Sequence, residues 1–197
     1  MKVGKDLESL DDNNIFRGLD NESILSLKGR RDTDMIDKLV PEKDTFKLTL
    51  RCIKLWAKNR GVYSNVIGYL GGVTWAMLVA RICIDNPHMP AYKLLATFFE
   101  YYSTYQWGPT NPVTLCPLQD REAVPFAMDD MLFRDWNKAK MPIITPSFPN
   151  SNSSFNIMDS TKEAILTELE KGAIITKAIC EGQNVEWKRL FKKFSFF

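Results

Sequence analysis

Lys47, Arg51, Lys54 and Lys58 follow one another at intervals of four and three residues, so they share one stripe of a helix. No acidic residue lies four positions from any of them. Such a stripe is either a solvated face or a row of donors for a phosphate-bearing ligand. Two features beyond it favour the ligand. Gly71-Gly72 stands just before an apolar run. The first N–H groups of a helix are unpaired and carry a partial positive charge, and glycine lets an anion come close to them. A glycine pair in this place also serves as a packing hinge. Tyr63 lies in a turn shortly after Gly61, where it could stack on a base or hydrogen-bond a phosphate, or simply fill the core. The glycines do not form a P-loop or a dinucleotide fingerprint, because neither Gly-Lys-Ser/Thr nor G-x-G-x-x-G is present.

The groups needed for chemistry on such a ligand are missing from the pattern. Phosphoryl or nucleotidyl transfer needs carboxylates that hold divalent metal ions. Asp85 follows the glycine pair, but a helix and then Asn86-Pro87 occupy the place of its partner carboxylate. Asp129-Asp130 has no partner motif, and Asp32-x-Asp34 reads as a helix cap. A Ser/His/Asp set is excluded by a single histidine, His88. Cys52, Cys83, Cys116 and Cys180 are too scattered for a zinc site and read as free thiols. No catalytic and no metal-ligating residue is expected.

These residues need a scaffold. The chain has 197 residues, 45% hydrophobic and 12% aromatic, with a formal charge of +2. It is long enough for one packed domain, and an anionic partner must be met by a local patch. Between Asp44 and Asp85 there is no acidic residue, whereas Lys47, Arg51, Lys54, Lys58, Arg60 and Arg81 all fall there. The periodicity predicts a short amphipathic piece from Asn21, ended by Gly29, and a helix capped by Asp32-Thr33-Asp34 and stopped by Pro41. A helix capped by Asp44 or Thr45 buries Phe46, Leu50, Ile53 and Ala57, with Leu48, Cys52, Leu55 and Trp56 widening that face. Val73–Ile84 is apolar almost all round and reads as the central buried helix. It is too short to span a bilayer. Tyr92–Trp107 is a further helix, Gly108–Asp130 a proline-rich loop, and Met141–Pro146 an extended run followed by a polar turn. Ser160-x-x-Glu163 reads as a capping box opening the last helix. The tail from Trp187 alternates basic and aromatic residues. The fold class is mostly α, a compact multi-helix domain with few or no strands. Residues 1–20 are a loosely ordered polar segment, 21–182 the helical domain and 183–197 a link onward.

At these same residues the sequence resembles eukaryotic poly(A) polymerase. Three segments carry the resemblance: Ser26-Leu27-x-Gly29-x-Arg31-x-Thr33-Asp34 with Leu39-Val40-Pro41; LTLRCIKLWAKNRGVYSNVIGYLGGVTWAMLVAR from Leu48 to Arg81; and MPIITPSFP from Met141 to Pro149. The resemblance implies the central domain of an enzyme that adds AMP from ATP to the 3′ end of mRNA in the nucleus, with Mg²⁺ or Mn²⁺. The metal-binding carboxylates would lie in a catalytic domain before Met1, and an RNA-recognition-like domain would begin near Phe196-Phe197. It implies that Lys54 meets the ATP phosphates, that Tyr63 contacts the nucleotide, that Asn65 helps recognise adenine and that Gly72-Val73 lines the base pocket. Lys28 stands where the family commonly has asparagine facing the nucleotide, and Lys28 and Lys58 are candidate nucleotide or RNA contacts. The implied partners are ATP, an RNA 3′ end and the catalytic and RNA-binding domains of the same protein, with no membrane. Alone, the chain is expected to be inactive. Two alternatives stand beside this: a non-catalytic helical domain that binds RNA or an acidic protein, and the partner domain of a transferase for another nucleotide.

Overall fold

The computed structural model describes residues 12–120, 124, 126–132 and 136–193. The polar start through Asp11 and the last four residues, Phe194–Phe197, lie outside the described part. Five α-helices carry the fold: α1 Asn21–Leu39, α2 Lys43–Asn59, α3 Gly72–Asp85, α4 Ala91–Thr104 and α5 Asp159–Cys180. Among the described residues, β pairing is limited to isolated bridges, Tyr63 with Leu70, Val113 with Ile143 and Ile144 with Asn152. The mostly α expectation holds.

Helices α1, α2 and α4 pack against α3, whose Trp75, Met77, Leu78, Val79 and Ala80 are fully buried. Each large apolar side chain removed from water there contributes about 1.5–3 kcal/mol. Aromatic rings join α3 to its neighbours. Trp56 of α2 meets Trp75 edge-on at 5.7 Å and Phe99 of α4 at 4.8 Å between centroids. Tyr102 of α4 is fully buried and donates its hydroxyl to Leu78 O at 2.9 Å, which satisfies its one polar group. Helix α5 packs along α4 at Gly172, where the backbone rests against the Phe99 ring.

Several local expectations differ from the structure, each for a physical reason. Helix α1 runs without a break through Gly29. Its N-cap is Asp20, which accepts from Ser23 N at 2.8 Å. Asp32 is therefore no cap. It lies mid-helix on a buried face of Ile24, Lys28, Arg31, Asp32 and Ile36, whose charged centre disguised the helical period. Helix α2 starts at Lys43 after Glu42 rather than being capped by Asp44 or Thr45, and Leu48 and Leu55 face solvent. The box at α5 is formed by Thr161, whose hydroxyl accepts from Met158 N at 3.0 Å, instead of Ser160 and Glu163. The polar turn after Pro149 is interior: Asn150, Ser151, Asn152 and Ser154 are all buried. Asn152 accepts from Ile143 N, Ser154 N and Ser154 Oγ, so this asparagine is a structural clasp.

A Cβ at Gly172 would lie 2.3 Å from Phe99 Cδ1, and Phe99 is wedged against Trp56 and Phe98. Overpacking of this kind costs about 1–3 kcal/mol, more than the helix propensity that alanine returns. Gly172→Ala is expected to lower the urea midpoint of unfolding at unchanged slope. A variant as stable as the parent would contradict the close α4–α5 approach.

Candidate functional site

Helix α2 ends at Asn59, and Gly61, with φ of 75°, turns the chain back as only glycine does without strain. The chain then forms a closed turn over residues 63–70. Tyr63 bridges to Leu70, Ser64 N donates to Leu70 O at 3.2 Å, and Tyr69 N donates to Ser64 O at 3.0 Å. Ser64 holds φ of 119°, a conformation that a serine rarely adopts, between Tyr63 and Asn65. Asn65 is fixed from outside, since Asn156 Nδ2 donates to its carbonyl at 2.9 Å. Gly71 and Gly72 then open α3, and no side chain caps that end. Its first N–H groups are left for solvent or a ligand.

Three expected site residues converge at this helix end. A Cβ placed on Gly72 would lie 2.8 Å from the Tyr63 hydroxyl and 3.5 Å from Lys54 Nζ. Lys58 Nζ sits 5.1 Å from the centre of the Tyr63 ring, a cation–π contact that steadies the ring. Lys54 has no hydrogen bond or ion pair among the described residues. Partial burial lowers its pKa below the ordinary lysine value, and the nearby Lys58 charge lowers it further. Lys47 and Arg51 lie further along the exposed stripe and are not part of this cluster.

Gly72 also borders a cavity of about 290 Å³. Asn65, Val73, Lys28 and Phe155 line it, together with Thr74, Thr145 and residues 151–153. The structure thus gathers all seven expected contacts around one helix end, Lys54, Lys58 and Tyr63 on one side of Gly72 and Lys28, Asn65 and Val73 on the other.

Lys28 is not a loose cation. It is buried and donates to Asp32 Oδ2 at 2.8 Å and Thr145 Oγ1 at 2.6 Å. Asp32 Oδ1 accepts from Ser147 N and Ser147 Oγ, and Thr145 Oγ1 accepts from Ser151 N at 3.0 Å. The pair ties α1 to the segment that forms the polar wall of the cavity. Asp32, Thr145 and Ser151–Ser153 are the wall residues that sequence reasoning missed. The usable signal was Lys28 and Asp32, opposite charges four apart on the same face as Ile24 and Ile36.

This arrangement can hold an anion: an ammonium, a phenol hydroxyl and a bare helix N-terminus around a glycine, beside a cavity with an amide and the Lys28–Asp32 pair. Among the described residues, no three His, Cys, Asp or Glu side chains cluster so as to hold a metal ion. No helix of the described part is long and apolar enough to cross a membrane.

The lowered Lys54 pKa gives a pH dependence with a definite sign. An anion beside Lys54 favours its charged form, so binding draws a proton onto the fraction that is neutral. Affinity for inorganic tripolyphosphate, measured by calorimetry, is expected to fall as pH rises through the lowered pKa, with proton uptake on binding. Lys54→Ala removes this component. The same pH slope in the variant would show that Lys54 does not face the anion.

The Poly(A) polymerase central domain family matches residues 45–193. A poly(A) polymerase of Dictyostelium discoideum is 40% identical over 99% of this chain, poly(A) polymerase PAPalpha of Candida albicans 41% over 96%, and nuclear poly(A) polymerase 2 of Arabidopsis thaliana 39% over 99%. The chain spans 24%, 33% and 24% of these relatives. A solved structure of the Cid1 poly(U) polymerase, a mutant bound to MgATP, shares the fold with a TM-score of 0.57 at 15% identity, over 78% of this chain and 56% of that one. With a family match from the first turn of α2 past the end of α5, the chain belongs to the poly(A) polymerase family through its central domain.

Proposed function

We propose that this chain is the ATP-gripping part of a poly(A) polymerase, whose whole protein adds AMP from ATP to the 3′ end of mRNA in the nucleus. The observation that carries this is the convergence of Lys54 Nζ and the Tyr63 hydroxyl on Gly72 at the uncapped N-terminus of α3. In this reading Lys54 and the first N–H groups of α3 take the phosphates, and Tyr63 contacts the nucleotide. The adenine lies along Gly72-Val73, with Asn65 at its hydrogen-bonding edge. Lys28 faces the same cavity from the opposite wall, where Asp32 neutralises it and Thr145 holds it, so it offers a fixed polar wall rather than a net charge. Lys58 steadies Tyr63 and extends the positive field toward the ligand.

The site is one wall. Leu25, Val73 and Phe155 are nearly half exposed at the cavity mouth, and Val66, Ile67 and Met158 are more exposed beside it. An apolar rim of this kind suits a surface that another part of the protein covers. The relatives are three to four times longer than this chain, which leaves room for a catalytic domain with metal-binding carboxylates and for an RNA-binding domain beyond residues 183–197. In this reading no chemical step is assigned to this chain, and Mg²⁺ or Mn²⁺ is held by the part that closes over it. Binding, orienting and partly desolvating the nucleotide are its share of the reaction.

The test is ATP affinity measured by calorimetry on the chain, with three variants beside it. Lys54→Ala is expected to weaken binding by roughly 10- to 100-fold, in line with about 1.5–3 kcal/mol for a charge-assisted hydrogen bond. Gly72→Ala is expected to weaken it similarly, because the new methyl displaces Tyr63. Gly71→Ala is tolerated, since its Cβ would meet its neighbours at 3.7 Å or more. Equal effects of the two alanines, or an unchanged affinity in Lys54→Ala, would overturn the assignment. With an oligoadenylate primer and divalent metal, the chain alone is expected to add no tail; tail growth would place the chemistry here after all.

A further inference from the structure

The segment Trp187-Lys188-Arg189-Leu190-Phe191-Lys192-Lys193 interleaves four cations with three apolar residues and has no acid. In the structure the two sets part company. Leu190 is buried, and Trp187 and Phe191 pack partly buried against the main core. Asn59 Nδ2 at the end of α2 donates to Phe191 O at 2.7 Å and pins the segment. The aromatic residues are anchors, and what remains outside is positive charge on a fixed backbone. Lys188 pairs with Glu186. Arg189, Lys192 and Lys193 are exposed and have no side-chain hydrogen bond or ion pair among the described residues.

Arg189 and Lys192 form a ridge between two hollows of about 340 and 550 Å³, both of which they line. The first hollow adds Arg60, just past the end of α2, and Lys171 of α5, and its one lining carboxylate is Glu168. That carboxylate is already engaged, by Arg60 Nε and by Lys171 Nζ at 2.8 Å. Burial pushes its pKa up, but the bonds from Arg60 and Lys171 more than offset this and hold it below the usual carboxylate value. Its charge is therefore fixed and spoken for, and the ridge keeps a surplus of positive charge.

We propose that this ridge, Arg189 with Lys192 and Lys193, is a binding site for the phosphate backbone of a single-stranded nucleic acid, separate from the nucleotide cavity. Exposed cations grouped on a pinned backbone suit a polyanion. Among the described residues the aromatic side chains of the ridge, Trp187 and Phe191, pack against the core rather than standing free for bases, so the site reads charge and not sequence. An acidic peptide is the less suited occupant, because Leu190 is buried and Trp187 and Phe191 are partly taken up by the core, which leaves little apolar surface on the ridge for its side chains. The hollow beside Glu168 shares Arg60, Glu168 and Lys171 with a further one that reaches Gly61, Val62 and Tyr69, next to the turn bearing Tyr63. A strand on the ridge could follow this course toward the nucleotide. That direction rests on the proposed function, whereas the ridge does not.

The probe is a labelled oligoadenylate, titrated into the chain by fluorescence anisotropy at several salt concentrations, with an oligouridylate and a polyglutamate peptide as comparisons. Arg189→Ala with Lys192→Ala is expected to weaken both RNAs alike and to reduce the slope of log K against log salt by about 1.4, at about 0.7 per phosphate contact on a single strand. Both side chains are exposed, so the thermal melt of the double variant should match the parent. Its ATP affinity should also be unchanged. An unchanged salt slope, a loss confined to oligoadenylate, or polyglutamate binding as tightly as RNA would overturn the ridge as a backbone site. Loss of ATP affinity together with RNA would overturn its separateness. Failure of ATP binding in the parent chain, with the ridge result intact, would count against the nucleotide cavity alone.

Discussion

The first turn of α3 has to remain bare. It starts at Gly72 with no capping side chain, and a methyl group there would collide with the Tyr63 hydroxyl. Beyond Val73 the helix is buried without a break from Thr74 to Ala80. Its position is set by Trp56, Phe98, Phe99 and Tyr102 on either side, so the direction of its unpaired N–H groups is set by the core. Packing energy is thereby converted into a fixed electrostatic direction. The cations of α2 are registered to the same point, because Trp56, which locks α2 to α3, is two residues from Lys54. The site is preorganised by the core rather than by its own contacts, which leaves Lys54 partly desolvated and without an anion.

The opposite wall uses a different device. A buried ion pair is a weak source of stability, since desolvation cancels most of the attraction, but losing one partner is costly. Lys28 and Asp32 satisfy each other and also Thr145 and Ser147, which come from more than 110 residues away in the chain. The network therefore fixes a register between α1 and the segment around Thr145 that apolar contact alone would leave loose. The neighbouring Phe16, Ile24 and Phe148 form a small second core beneath it. Together they hold the polar wall of the cavity at a set distance from Gly72.

Much of this was legible in the sequence, and the parts that were not have a common cause. The helix α3 was plain from an apolar run behind Gly-Gly, and the α2 stripe was plain from spacing alone. Lys54, Tyr63, Asn65 and Gly72-Val73 were placed by resemblance, and the structure brings them to one helix end; their roles remain a proposal. Helix α1 was split in two because a buried charged pair reads like surface, and Gly29 reads like a stop when its neighbours lack an apolar period. The turn at 150–154 reads only as polar because Asn and Ser dominate it, whereas in the structure it is buried and its side chains close on its own backbone. Leu48 and Leu55 were counted as core but face solvent. In each case burial was inferred from residue type, and partners distant in sequence decided it.

The central claim is that a nucleotide is held at the N-terminus of α3. Amide chemical-shift mapping of the ¹⁵N-labelled chain during titration with ATP tests it most directly. The account predicts that the largest shifts fall on Gly71, Gly72, Val73 and Thr74, with Tyr63 and Asn65 next, and that they saturate together. Shifts confined to α5 and the basic tail, or none at millimolar ATP, would contradict it.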